Sequence, residues 1–600
     1  MRRIIVLGII GVLGSITLSY AQTSVKLDQD LAGVNNIPKE TVFVHHNTTL
    51  LFAGERLYYK VYGLTAKTKR LSSLSKMGYV ALIGENGNTV FSHKVKLDSG
   101  LGYGDFLVPT DIPSGNYKLI GYTNWMKNEG QAYFFQDDIG IINPYLENQS
   151  AILAKKDNTL PSALMDSTPS VKPLVTPEVI LPKRKTNQYL SLSTDKGTYA
   201  SRSLVRVTID KIGSGNVHGN YSLSVRKLDH LEHGEKLTAE GFSKKLNQNG
   251  ATQAVVDKEI YLPELRGELI SGTVLLKENN TPAANKRVAV AIPGDDFIVQ
   301  VGNTNSQGKF FLNLDKTYSG VEAIVEVLGE DRDQYTLSLD THGSFDHNNL
   351  SFKELRINAE MKEQILERSI FNQVENAYIE QKANTLTPLE ESIPFYRNFV
   401  EVYDLDDYTR FKTLRETMVE IIDHVWFKRV GGGAFMFQVR GYDPFIDTGI
   451  LPLVVVDGFL VQAHNDLVNY NSKKVDKVAL LREKFRIGAH TFQGMVAIET
   501  INGDYKPVLN GEHIKKITLF KPQPAKQYFL QQYSQASNSE SDRIPDFRNQ
   551  LLWIPNLTFD TNSSTFEFFT SDNTGNYEIA LEGFTKDGIP ISIREIIQVE

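Results

Sequence analysis

The stretch Asp229-His230-Leu231-Glu232-His233-Gly234-Glu235 is the strongest metal candidate in the sequence. His230 and His233 stand three apart, and Glu232 and Glu235 add oxygen donors of the kind zinc accepts. The stretch lacks the His-Glu-x-x-His spacing of a zinc protease and follows a strand pattern in polar surroundings. It reads as a solvated loop, and no metal is assigned. Glu401, Asp404, Asp406 and Asp407 form a second cluster. Paired carboxylates can do acid–base work or hold calcium, but the glycine and spaced oxygens of a calcium loop are missing. Acidic residues ahead of a helix are also favoured by its dipole. Gly431-Gly432-Gly433 invites a phosphate-loop reading, yet no Gly-Lys-Ser/Thr follows and the run leads into a strand, not a helix. It reads as a turn needing positive φ or close backbone approach, placed between a helix and the strand Ala434–Arg440. His45 and His46 sit in a strand pattern and read as edge residues. There is no G-x-S-x-G elbow and no cysteine nucleophile. The expectation is no catalytic, cofactor-binding or metal residue, no cofactor, and no enzyme.

The composition sets bounds on what can surround such residues. The 600 residues are 22% charged and 41% apolar, an ordinary globular balance, and suggest roughly three to five domains. A net charge of −7 gives no basic footprint for nucleic acid. Arg2 and Arg3, the apolar run Ile4–Leu18 and Ser19-Tyr20-Ala21 read as a secretory signal peptide over 1–21, cut after Ala21. Without cysteines an exported chain has no disulfides, so each domain must hold its own core. No further long apolar run exists, so the mature chain is expected to be soluble or peripheral. The strands fall in separate modules, which argues against a complete outer-membrane barrel.

The strand signals begin near Ser24. TVFVHH, RLYYKVYGL, YVALIGENGNTVFSHKVKL and NYKLIGYTNWM carry β-branched and aromatic residues between Gly, Asn, Asp and Pro turns. Glu85-Asn86-Gly87-Asn88 predicts a tight hairpin. These features predict a β-sandwich over 22–146. A Pro/Ser/Lys linker follows over 147–187. A second sandwich is expected over 188–261, a third over 262–340, and a partly helical connector over 341–407. In the connector Ile365, Leu366, Ile370, Phe371, Val374, Ala377 and Tyr378 share one helical face. A helix over Leu414–Val425 and strands AFMFQVR, LPLVVVDGFLV and FQGMVAIETI fill 408–510. A strand-rich module closes the chain over 511–600. GNYKLIGYT and GNYEIALEGFT echo each other and read as the same kind of sandwich edge.

Some stretches resemble known families. AGERLYYKVYG with GDFLVPTDIPSGNYKLIGYT resembles a macroglobulin-type sandwich, and LSLSTDKGTYASRSLVRVTI with YSLSV resembles a second domain of that kind. PELRGELISGTVLLK with NSQGKFFLNL resembles a carboxypeptidase-regulatory-like, transthyretin-like sandwich, which carries no active site. Tyr408–Tyr505 resembles the plug domain of TonB-dependent outer-membrane receptors through TLRETMVEII, FMFQVRG, PLVVVDGFLV and VDKVALLREKFRIGAHTFQGMVAIETING. The combination resembles large exported proteins of Bacteroidota.

These resemblances imply a mainly β fold of tandem macroglobulin- or immunoglobulin-like sandwiches, one transthyretin-like sandwich and one smaller α+β plug-like domain. A receptor's plug precedes a large barrel, whereas a strand-rich module follows here, so docking is expected and not transport. The expected role is binding or scaffolding at the periplasm or outer membrane, accessory to a TonB-dependent transport or secretion complex. The partner is an unidentified envelope or outer-membrane protein. Peripheral membrane association is left open, and neither nucleic acid nor a small-molecule substrate is expected. The alternative is a thioester-free macroglobulin-like protease inhibitor or adhesin, with Glu147–Lys185 as an exposed bait segment.

Overall fold

The computed structural model describes residues 36–153, 186–229, 231, 234–248, 260–294, 296–340, 350–388, 401–442, 449–533, 543–559 and 561–600. The signal-peptide reading, most of the Pro/Ser/Lys linker, and His230, Glu232 and His233 lie outside these residues. The chain forms two compact units. One contains 269–341 and 391–519; the other contains 35–268, 342–390 and 520–600.

In the larger unit the first sandwich has eight strands: β1 (Glu40–His46), β2 (Leu50–Phe52), β3 (Arg56–Thr65), β4 (Met77–Gly84), β5 (Thr89–Lys96), β6 (Leu101–Leu107), β7 (Gly115–Tyr122) and β8 (Phe135–Ile142). One sheet runs β1-β3-β6 and the other β2-β8-β7-β4-β5. Every strand pair is antiparallel except β2–β8. The expected turn at 85–88 joins β4 to β5, with Gly87 at φ 81° and Gly84 N–H donating to Asn88 O at 2.8 Å. His45 and His46 do lie on the sheet-edge strand β1, but both side chains are buried. His45 Nδ1 meets Ser222 Oγ at 2.6 Å, and His46 Nε2 meets Asp137 at 2.9 Å.

Next come β9 (Leu190–Thr194), β10 (Thr198–Tyr199), β11 (Leu204–Lys211), β12 (Gly219–Lys227) and the helix α1 (Ala239–Gln248). These four strands do not close a sandwich among themselves. The chain first builds β13 (Glu268–Leu276), β14 (Arg287–Ile292), β15 (Ile298–Asn303), β16 (Lys309–Leu314), β17 (Glu322–Leu328) and β18 (Tyr335–Leu339). Then come α2 (Lys362–Ala377), β19 (Thr385–Leu386), β20 (Glu401–Asp404), α3 (Leu414–Glu420), β21 (Val425–Arg429), β22 (Phe435–Val439), β23 (Leu453–Val456) and β24 (Phe459–Leu460). The long hairpin β25 (Val475–Ile487) and β26 (His490–Thr500) is followed by β27 (Ile514–Thr518) and β28 (Lys526–Gln527). Only then do β29 (Gln550–Leu557), β30 (Ser563–Phe569), β31 (Gly575–Thr585) and β32 (Pro590–Val599) complete the second sandwich. Its sheets run β9-β11-β30 and β10-β32-β31-β12-β29, with β10–β32 parallel.

The segments expected as two separate sandwiches, 188–261 and 511–600, are therefore corrected. Strands from both build one sandwich around a shared core that includes Tyr221, Leu223, Phe568, Tyr577 and Ile593. Of the two other strands of the last segment, β27 pairs with β17 in the smaller unit and β28 pairs with β19 in the larger one. Alternating strands such as β16 show why single segments read correctly while their partners did not. The pattern reports which face is buried but not what covers it.

The Gly-Asn-Tyr echo has a structural cause and occurs three times. Tyr117, Tyr221 and Tyr577 each donate the hydroxyl to the carbonyl four residues earlier, at Pro113, Val217 and Asn573, over 2.6, 2.7 and 2.6 Å. Each pins the entry to a sandwich strand, a tyrosine-corner arrangement. The strands β7, β12 and β31 are internal to their sheets, so the expected edge position is corrected.

The smaller unit holds a third sandwich, with sheets β16-β13-β18 and β15-β14-β17-β27, and a mixed sheet β20-β25-β26-β23-β24 whose β23–β26 pair is parallel. Small side chains, Ala289, Ala291, Ala479 and Ala497, help form the core between them.

The helices α2 and α3 obey opposite rules. α3 buries Leu414 and Met418 and starts with a capping box, Thr413 with Glu416. It ends at Glu420, before the expected Val425, which opens β21. α2 is inverted. Its buried residues are Arg368, Ser369 and Asn372, while Leu366 and Ile370 are 56% and 48% exposed. The shared apolar face read from the sequence is thus split. Ile365 packs under the helix beside Phe52, and Phe371 stacks on Phe547 at 4.3 Å. Apolar burial of Leu or Ile contributes roughly 1.5–3 kcal/mol each, so something stronger sets this orientation. It is the buried carboxylate of Glu55. Arg368 holds it through Nε at 2.8 Å and Nη2 at 2.7 Å, and reaches Asp229 through Nη1 at 2.5 Å. An unpaired buried carboxylate costs several kcal/mol.

Candidate binding surface

In the smaller unit a hairpin and a bulge assemble an exposed aromatic–arginine surface. β21 and β22 pair antiparallel, Val425 opposite Val439 through Arg429 opposite Phe435. Gly431–Gly433 is the connection between these two strands, with Gly432 and Gly433 at φ 72° and 81°. The expected helix-to-strand placement is corrected by the intervening strand β21; the turn reading stands. The outer edge of β22 is satisfied by side chains: Phe437 N–H donates to His464 Nδ1 and Phe435 N–H to Asn465 Oδ1, both at 3.2 Å. Burial pushes His464 down to about 4, which keeps it a neutral acceptor. An edge occupied in this way is unavailable to an added strand.

Arg482 organises the surface. The β25–β26 register shifts between Leu481 and Lys484, so Arg482 and Glu483 oppose Gly494 in a β-bulge. Gly494 has φ 75°, and a Cβ there would stand 2.3 Å from Leu481 O, so the bulge needs glycine. Bulges re-aim side chains. Here Arg482 reaches the carbonyls of Arg440 and Gly441 at 2.9 and 3.1 Å and Glu401 Oε1 at 3.1 Å. Its guanidinium lies 4.7 Å from the Tyr442 ring centroid, and Arg440 lies 5.7 Å from that of Trp426. Tyr442 is 51% exposed and Trp426 37%. Glu401 Oε2 is buried without a hydrogen-bond partner among the described residues.

The acidic cluster divides. Glu401 belongs to Arg482. Asp404 caps the short turn at Leu405–Asp407 by accepting from Asp406 N–H at 3.0 Å. Asp406 pairs with Arg410 at 2.5 Å. Asp404, Asp406 and Asp476 have carboxylate oxygens within 4.8 Å of one another. With an arginine already on Asp406, the geometry is that of a capped turn. Asp229, at the start of the histidine stretch, is committed to Arg368, and Glu235 is exposed.

The larger unit contains a polar cavity of about 370 Å³ lined by Glu55, Arg226, Asn372, Lys382, Lys526 and Arg548 among others. Its charges answer one another. Burial alone would raise the Glu55 carboxyl, but Arg368 and Arg226 outweigh it and hold it down at about 2. Lys382 spans Glu375 at 2.8 Å and Asp546 at 3.3 Å, and Arg548 pairs with Asp546 at 2.6 Å. Arg548 and Lys382 likewise outweigh burial at Asp546 and keep it at about 2. These pairs tie α2 to the sandwiches.

Sequence reading missed Trp426, Tyr442 and Arg482. A signal for the bulge was present in Phe492-Gln493-Gly494-Met495, since a glycine inside a strand pattern marks one. Nothing local linked Arg482 to a loop some forty residues earlier.

No family model matches the chain, and no curated protein matches it. Solved structures do. A Salmonella alpha-2-macroglobulin reacted with methylamine is 8% identical, with 93% of this chain and 39% of that chain covered, at a TM-score of 0.22. An Escherichia coli alpha-2-macroglobulin activated by porcine elastase is 10% identical over 94% and 44%, also at 0.22. The Yersinia pseudotuberculosis adhesin InvE is 10% identical over 50% and 57%, at 0.12. The chain spans about two fifths of the length of these macroglobulins. The fold class itself rests on the strand pairings: a mainly β chain rich in β-sandwiches.

Proposed function

We propose that this is a non-enzymatic, exported envelope protein with a docking or scaffold role at the periplasm–outer membrane boundary, accessory to a transport or secretion complex. The observation that carries the reading is the Trp426–Arg440–Arg482–Tyr442 surface. Trp, Tyr and Arg dominate binding hot spots, and a surface held in shape by a bulge-positioned arginine loses little freedom on binding. In this reading the first two sandwiches are macroglobulin-like, the third is regulatory-like, and the sheet of β20 and β23–β26 with its hairpin is plug-like. Crosslinking and pulldown from native outer membranes tests it. W426A/Y442A should weaken recovery of a membrane partner at least tenfold while leaving thermal unfolding unchanged. Undiminished recovery, or a protein found wholly free of membrane partners, would overturn the reading.

The matching strand order of the first two sandwiches favours a second reading, a thioester-free macroglobulin-like inhibitor or adhesin. As an inhibitor, the chain cut within Glu147–Lys185 would compact and retain the protease. Nicking without a change of shape would remove that reading.

A further inference from the structure

The polar cavity of the larger unit has one end where the cations outnumber the acids. Of the cations that line it, Arg226 is spent on Glu55, and Lys382 and Arg548 are spent on Glu375 and Asp546. Arg56 and Lys526 share a single acid, Asp105. Its side chain is 1% exposed and both of its oxygens are used, Oδ2 by Arg56 and Oδ1, at 2.7 Å, by Lys526. Arg56 and Lys526 meet no other carboxylate among the described residues, and their side chains stay 25% and 19% exposed. One positive charge is left unanswered at this end.

Two carboxamides line the same cavity. Asn376 enters from α2 over a glycine: Gly54 has φ 90°, and a Cβ there would stand 2.4 Å from Asn376 Nδ2. Asn384 stands just ahead of β19, which pairs with Lys526 and Gln527 of β28. Each amide has one end in use. Asn376 Nδ2 donates to Asn372 Oδ1 at 3.1 Å, and Asn384 Oδ1 accepts from Phe529 N–H at 3.0 Å. The other ends, Asn376 Oδ1 and Asn384 Nδ2, have no hydrogen-bond partner among the described residues. Leu107, Ile379 and Phe529 add apolar surface.

We propose that this cavity binds an acidic sugar residue of the uronic acid class, its carboxylate between Arg56 and Lys526 and its hydroxyls on Asn376 and Asn384. The volume of about 370 Å³ lies at the low end of ligand sites, which run from roughly 300 to 1,000 Å³. One surplus positive charge matches one carboxylate, and the arginine fork suits it. A phosphate monoester carries more charge than this end leaves over. A neutral sugar would leave the charge unanswered, and an amino acid would bring an ammonium group among the cations. Hydroxyls both donate and accept, so they can use the open acceptor of one amide and the open donor of the other. The apolar side chains suit the C–H face of a sugar ring. The site is separate from the Trp426 surface and does not depend on it.

The test titrates the full chain calorimetrically with galacturonate and glucuronate, and in parallel with glucose and inorganic phosphate. Expected is saturable, one-to-one binding of a uronate that weakens with added salt and is at least tenfold tighter than that of glucose or phosphate. A uronate trisaccharide separates two sources of the same chemistry: tighter binding marks a glycan end as the ligand, weaker binding a free sugar acid, and both support the site. Lys526→Met removes half of the carboxylate clamp. Asn384→Asp keeps the acceptor for Phe529 N–H and sets a negative charge beside the sugar. Each should lower uronate affinity at least tenfold. Asn384→Asp should unfold at the parent temperature, so it carries the test even where Lys526→Met loses stability. Absence of saturable uronate binding, glucose or phosphate bound as tightly, or parent affinity in both variants would overturn the proposal. So would loss of fold in both variants, which would make these side chains part of the frame.

Discussion

The first two sandwiches share one strand order and differ at one hairpin. In each, the first, third and sixth strands form one sheet, and the second, eighth, seventh, fourth and fifth form the other, with the second and eighth parallel. In the first sandwich the fourth and fifth strands are joined by residues 85–88. In the second they are β12 and β29, and residues 228–549 run between them. The fold therefore does not need that hairpin to be short. Loop closure costs only about 0.6 kcal/mol per doubling of length, so even an unstructured insert of this size would cost roughly 4 kcal/mol more than the tight turn. The shared core supplies the difference.

The open hairpin keeps the backbone contact that closes the short one, there Gly84 N–H to Asn88 O at 2.8 Å, and adds side-chain contacts to it. Lys227 N–H donates to Asn549 O at 2.8 Å, joining the two lips of the insertion. Arg226 on β12 and Asn549 before β29 both bond Glu55, at 3.2 and 3.1 Å. The insertion sends back α2, whose Arg368 holds the same carboxylate. Glu55, in the turn before β3, thus collects both lips and one helix of the insert.

Cutting the second sandwich after β12 gives the largest expected effect. Deleting 550–600 removes half its strands and should abolish cooperative unfolding of that sandwich, leaving 190–227 open to protease in a limited-proteolysis time course. Persistence of a resistant 190–227 core would refute the shared-core account. Arg368→Met comes next. It leaves Glu55 buried with less compensation and should cost about 3–5 kcal/mol in urea unfolding at neutral pH. Glu55 is held at about 2, below its ordinary value of 4.5. Its stabilisation is therefore complete above pH 4.5 and lost as pH falls toward 2. Removing Arg368 should flatten the acid dependence in that window, and an unchanged slope would mean that Glu55 does not titrate with folding. The smallest effect is expected in the first sandwich. Eight Gly/Ser residues inserted between Asn86 and Gly87 should cost about 1 kcal/mol, read as a small fall in melting temperature. A collapse there would mean that the short turn is indispensable and the two sandwiches are not alike.

The exposed surface on β21–β22 was less legible than the fold. Trp426 fell just past the expected helix Leu414–Val425; the helix in fact stops at Glu420, and the chain turns through His424 at φ 67° into β21. Arg482 carries no local signal of its role, which the bulge in β25 gives it. The histidine stretch looked richer in chemistry than these, yet of its two described acids Asp229 is spent on an arginine more than a hundred residues away and Glu235 is exposed.

By itself the sequence determined what short-range physics can encode: period-two strands, the turn at 85–88, the Thr413–Glu416 cap, and tyrosines that bond the carbonyl four residues back. Tertiary structure alone decided that β12 and β29 share a sheet, that β27 leaves the last segment for the third sandwich, and that α2 faces inward with its polar side. The reason is common to all three. Each depends on a surface or a charge supplied from far along the chain, and a residue pattern records that a side chain is covered without recording what covers it.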